Sequence, residues 1–192
     1  MIIIEQIEKE VKGKINEYKA NAEDHYDFWN EHIKYVYIES QKLAEKYGAD
    51  IEIVKLGALL HDIALICKVG ERKDHHINGK ILAEEILKKY DYPKEKMDRV
   101  LSCVYNHRSS KNATNIEDLC VADADIIAHF DNIPMLFNSA YNRNKISLNE
   151  VRNWLKECFE KDYNDLSDKT KESYKEQYKL ICWNHQLLCI YP

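Results

Sequence analysis

Only five glycines and three prolines interrupt a chain of 192 residues. A sheet-rich fold needs tight turns at short intervals, and those turns depend on such residues. Their scarcity favours long helices, and the apolar spacing agrees. Ile3, Ile4, Ile7, Val11 and Ile15 recur with helical period, so the opening ~18 residues read as an amphipathic helix. Asp27 to Tyr47 reads as a second helix, with Ile33, Val36, Leu43 and Ala44 on one side. Gly48 stands where a left-handed C-terminal cap belongs. A third helix, from about Ile51 to Asp62, is nearly apolar around Leu56 to Leu60 and is expected to be central.

Ile63 to Asp74 contains Gly70 and the charged cluster ERKD and reads as a loop. A fourth helix is expected from about His75 to Tyr90, with Ile81, Leu82, Ile86 and Leu87 at core spacing. Pro93 suits the first turn of a fifth, whose stripe is Met97, Val100, Leu101 and Val104. Asn115 can cap a sixth that holds Leu119, Ala122, Ile126 and Phe130. Ser147 and Glu150 have capping-box spacing ahead of Val151, Trp154, Leu155, Cys158 and Phe159. Residues from about 168 to 189 form a last long helix. The expected fold class is all-α, in a single domain spanning residues 1–192. Its core covers about 27–130, and its C-terminal helical extension covers about 138–190.

Charge and apolar runs narrow the function classes. The formal net charge is −5, without the concentrated basic face of a protein that lives on nucleic-acid backbone. No apolar run approaches the ~18 residues needed to span a bilayer, and nothing in the charge balance suggests membrane binding. The opening MIIIEQIEKEVKGK lacks the basic-then-apolar order of a signal peptide. Six cysteines (67, 103, 120, 158, 182 and 189) are scattered without a CxxC pair. They read as reduced thiols in a cytoplasmic protein.

Histidine and aspartate carry the chemistry. His61 and Asp62 end an otherwise apolar helix. Burying both there costs several kcal/mol unless they are paired or hold an ion. Helical neighbours point about 100° apart, so the two converge only if the helix ends or tilts at that point. His32 lies four residues before Val36, and Asp125 one before Ile126, each at the buried side of its helix. Two imidazoles and two carboxylates make a borderline-hard donor set suited to Mn, Fe, Mg, Co, Ni or Zn. His76, with Gly79 three residues on, and His107, three after Val104, fit a second ion, with Asp62 as a bridge. His75 is the competitor to His76, and the spacing to Gly79 favours His76.

The ordered series His32, His61-Asp62, His76, His107, Asp125 resembles the HD-domain superfamily. The words GALLHD, HINGKILAEEIL, VYNHR and VADADII, between about Asp27 and Phe130, carry the likeness. The resemblance implies an all-α bundle gripping one or two divalent metals and hydrolysing phosphoesters, often nucleotides. It implies that His32, His61, Asp62 and Asp125 form a first metal site and that His76 and His107 belong to a second. Asp123 and Asp125 both offer the closing carboxylate; the second is chosen, with the first as an orienting group.

The expected mechanism is hydrolysis by a metal-activated water, with Asp62 bridging and His107 or a neighbouring acid managing the proton. Arg72, Lys73 and Arg108 are the candidate contacts to a small anionic phosphorylated substrate. An HD-type di-iron oxygenase and a non-catalytic nucleotide-binding module are the alternatives. His25, His129 and His185 read as surface or structural histidines.

Overall fold

The computed structural model describes residues 2–143 and 145–187, and it is helical throughout, without a strand among them. Helix α1 (Ile2–Asn21) buries Ile7, Val11 and Ile15, one per turn. A π-helical turn, Trp29–Ile33, leads into α2 (Lys34–Tyr47). Gly48 ends α2 at φ 73°, in the left-handed region that glycine enters without a Cβ clash.

Asp50 caps α3 (Ile51–Leu60) by accepting from the Glu52 and Ile53 amides. Every residue of α3 from Leu56 to Leu60 is buried, so it lies in the centre. The helix stops at Leu60, sooner than its apolar pattern predicts. The stretch expected to be a loop contains a short α4 (Ile63–Ile66), whose Ile63, Ala64 and Ile66 are buried.

Helix α5 (His75–Lys89) packs on α6 (Lys94–Asn106), which begins one residue after Pro93. Gly79, Ala83, Ile86 and Leu87 make the buried face of α5. Ile81 falls outside that face and is 54% exposed, contrary to its expected core role. Asn115 caps α7 (Ile116–Asp131) by accepting the Asp118 amide. Helix α7 packs most extensively against α2, and also against α3 and α6, so it is buried on most sides.

The chain continues through α8 (Ile133–Asn138) to α9 (Leu148–Asp165) and α10 (Asp168–Leu187). The capping box of Ser147 and Glu150 is present. Cys103 and Cys120 are buried, and Cys67 and Cys158 are half-buried; all four are free thiols. Cys182, Cys189 and the His185 side chain lie outside what is described. No helix among the described residues is long and apolar enough to cross a membrane.

Gly57 on α3 is closely packed in the core. A Cβ there would sit 2.7 Å from the Cys103 Cβ and 3.1 Å from a Val121 methyl. Gly57→Ala is therefore expected to lower unfolding stability by about 1–3 kcal/mol through overpacking, despite a helix-propensity gain of about 1 kcal/mol. Chemical denaturation checks this, and an unchanged or higher midpoint would refute it.

Candidate metal centre and substrate pocket

Side chains from five places in the chain converge here, and local backbone explains how. At the end of α3, His61 is still helical, but Asp62 has φ −102° and ψ 17°. That bridge-region turn breaks the helical rotation between neighbours, and brings the Asp62 Oδ2 to 3.7 Å from the His61 Nε2. His32 belongs to the π-helical turn, a widened geometry common at functional sites. Its Nε2 lies 3.1 Å from the His61 Nε2 and 3.0 Å from the Asp125 Oδ1. His75 opens α5, and His107 follows α6, with their Nε2 atoms 2.9 Å apart.

Asp62 sits between these two pairs. Its Oδ2 is 3.6 Å from His32, while its Oδ1 is 3.4 Å from His75 and 3.8 Å from His107. The donor atoms form overlapping triads: His32–His61–Asp62, Asp62–His75–His107 and His32–Asp125–His129.

The tautomers are fixed by the backbone. His61 Nδ1 meets the Ala58 carbonyl at 2.8 Å, His107 Nδ1 the Val104 carbonyl at 2.7 Å, and His75 Nδ1 the Arg72 carbonyl at 2.6 Å. A carbonyl only accepts, so each Nδ1 holds the proton and each neutral ring turns an Nε2 lone pair inward. The His75 and His107 lone pairs then face one another and repel unless a cation lies by them. With the buried Asp62 and the half-buried Asp125 carboxylates among them, the donors fit a divalent metal. His32 lacks this anchor: its Nδ1 is buried without a partner.

Electrostatics agree. Burial raises the Asp62 carboxyl, but the surrounding imidazoles of His61, His32, His107 and His75 outweigh it and hold it below its ordinary range. Asp125 is held well below its range against burial by the hydrogen bond from His32 and nearby imidazoles. Burial, with the neighbouring His61, pushes His107 down to about 4, so its ring is neutral near pH 7, as a ligand must be.

The expectation for His76 is corrected. The buried Gly79 face of α5 lies against the His61 carbonyl, 3.4 Å from where a glycine Cβ would be. At about 100° per residue, the residue four positions earlier lies about 40° from Gly79, and the one three earlier about 60° to the other side. His75 therefore turns to the centre. His76 turns to Tyr105 instead, with ring centroids 5.4 Å apart.

His129, expected to be a surface or structural histidine, ties α7 to α9 beside the site. It is half-buried at the site, its ring 5.7 Å from that of His32, and its Nδ1 is 2.8 Å from Asp162 on α9. Burial resists its charging, but Asp162 overrides this and lifts it to about 9. The signal was available: His129 lies four residues after Asp125, on the same helical face. His25 is at the surface, as expected, bonded to the Lys19 carbonyl.

Asp123 lies elsewhere and does not orient Asp125. Fully buried, it accepts from the Ser110 hydroxyl, the Ser167 amide and hydroxyl, and the Thr170 hydroxyl.

A cavity of about 490 Å³ opens over the cluster. Arg72, Lys73 and Arg108 line it, as does Lys161 of α9, while Tyr26, Phe28, Leu65 and Met135 give it an apolar wall. Arg108 donates to the Lys73 carbonyl at 2.8 Å, and Lys73 pairs with Glu71. Neither Arg72 nor Arg108 has a carboxylate within ion-pair distance among the described residues.

The HD-domain family model matches residues 30–129, which contain all of these donors. The chain belongs to the HD-domain family, a superfamily of metal-dependent phosphohydrolases. It is similar to the ribonuclease Y of Treponema denticola, 35% identical over 98 residues, which is 51% of this chain and 18% of that one. It is also similar to the ribonuclease Y of Finegoldia magna, 32% identical over 88 residues, 45% of this chain and 15% of that one. The chain thus spans less than a fifth of the length of these relatives. A crystal structure of the Lin1889 protein of Listeria innocua matches with a TM-score of 0.69 at 21% identity, covering 97% of this chain and 93% of that one. At that identity the likeness is one of fold, and it includes the C-terminal helices.

Proposed function

We propose that this chain is a divalent-metal-dependent phosphohydrolase acting on a small phosphoester, a nucleotide by preference. The observation that carries this reading is the juxtaposition of inward-facing imidazoles and the Asp62 and Asp125 carboxylates with guanidinium groups that have no carboxylate of their own among the described residues. His32, His61, Asp62 and Asp125 would hold one ion, and Asp62, His75 and His107 a second. A bound ion supplies the acidified water and the polarised phosphoryl oxygen that hydrolysis requires.

The rest falls to the protein. Arg72 and Arg108 place planar, bidentate donors at the cavity where a phosphate would sit, and Lys73 adds a point charge. The apolar wall of Phe28, Leu65 and Met135 suits a nucleoside-like remainder. His107, neutral and anchored through Nδ1, offers an Nε2 beside Asp62 that can accept a proton if one ion alone is bound.

The test is metal analysis of the purified protein, then a hydrolysis screen across divalent metals. Nucleoside phosphates, cyclic nucleotides, simple phosphomonoesters and a short RNA belong in it. Turnover of a small phosphoester is the expected result. Cleavage of the RNA alone would move the substrate towards that named for the ribonuclease Y relatives. Iron with oxygen uptake, and no hydrolysis, would overturn the reading in favour of an oxygenase.

A further inference from the structure

Helix α9 lies beyond the stretch that matches the HD family, yet it reaches the cavity. Two attachments seat it against α7. Asp162 grips His129, and Asp123 holds Ser167 and Thr170, where α9 turns into α10. Asp123, Asp125 and His129 thus link one helix to the metal donors and to α9 together. The outcome is that Lys161 stands at the cavity with Arg108 and the Arg72–Lys73 turn.

Lys161 is held in place by a carboxylate that it shares with a second lysine. Its ammonium is 2.9 Å from Asp165, which also binds Lys111 at 2.8 Å, and 4.0 Å from Asp162, which binds His129. Asp165 is therefore shared between two lysines. Arg108 is near enough for its charge to act against that of Lys161. Like charges brought together at a cavity favour an anion between them. These cations come from three separate elements, and the cavity of about 490 Å³ that they line exceeds the room one phosphate needs.

We propose that Lys161 is a specificity-determining residue which, with Arg108, forms a second anion subsite and selects substrates carrying two or more phosphates. This rests on the phosphohydrolase reading for its chemistry, but the subsite can be measured without turnover. The cleaved phosphoryl group belongs over the metal donors, and the remoter phosphate belongs between Arg108 and Lys161.

Two measurements test it. In the metal-loaded protein, kcat/KM is compared for a nucleoside monophosphate and the matching di- and triphosphate. Lys161→Gln is expected to lower the di-to-mono ratio about tenfold, mainly through KM, since a lost charge-assisted contact is worth about one decade. Lys161→Arg restores the ratio. Lys156→Gln, an exposed lysine of the same helix paired with Glu160, leaves it unchanged.

In metal-depleted protein, calorimetry with inorganic pyrophosphate and orthophosphate reads the subsite alone. Lys161→Gln should weaken pyrophosphate about tenfold more than orthophosphate. Hydrolysis with no preference for added phosphates, or an equal effect of Lys161→Gln on both ligands, overturns the subsite and leaves the hydrolase reading intact. Absent hydrolysis with Lys161-dependent pyrophosphate binding does the reverse.

Discussion

Asp62→Ala will fold, lose its metal and lose phosphoester turnover by about three orders of magnitude, the rate equivalent of ~4 kcal/mol. The size of the effect follows from its position. One carboxylate oxygen faces His32 and His61, and the other faces His75 and His107. No other donor belongs to both of these triads, so its removal takes a carboxylate oxygen from each candidate ion position. The fold is expected to tolerate the loss, because Asp62 makes no side-chain cap to α4. Removing a ligand-binding contribution also leaves a thermal signature. A chelator should lower the midpoint of the wild type, where an ion at ~100 times its dissociation constant adds about 2.7 kcal/mol, and leave the variant unmoved. Full metal content and activity in Asp62→Ala would remove the basis for the site. His75→Ala is the finer probe, since the His32–His61–Asp62 triad survives in it and metal content should fall only in part.

Asp123→Ala is expected to cost about 3–5 kcal/mol of stability. The carboxylate has no exposure and four donors. Truncation leaves the Ser110 and Thr170 hydroxyls buried with a lost acceptor, and each such group carries a desolvation penalty of about 1–3 kcal/mol. The Ser110 turn and the α9–α10 junction should loosen together. Denaturant unfolding gives the magnitude, and amide exchange locates it. Protection should fall in α9 and α10 more than in α3. A midpoint equal to wild type would mean that α9 is fastened by its apolar contacts alone, through Val151, Leu155 and Phe159. Asp123→Asn, which keeps one carbonyl acceptor, should fall between.

The helices were legible because their evidence is local. Apolar periodicity marks α1, α2, α6 and α7. Asn115 and the Ser147–Glu150 box mark two starts, and Gly48 one end. Where a local rule had two solutions, spacing along the sequence favoured the wrong one. Gly79 identifies the face of α5 that approaches another backbone, but His75 and His76 flank that face, and the packing of α5 on α6 selects His75. Ile81 was misplaced because hydrophobicity shows which residues can be buried, not which ones the neighbouring helix covers.

By itself the sequence determined an all-helical chain and a set of His and Asp side chains dear to bury and therefore gathered for a purpose. Residue type and 3.6-residue periodicity contain that much, because both act within a few turns of helix. Tertiary structure decided how those side chains meet. It turned Asp62 towards two pairs of histidines, brought His129 to the centre through Asp162, and set Lys161 at the cavity. Distances across a cavity depend on the angles at which helices pack, and those angles emerge from the whole core at once.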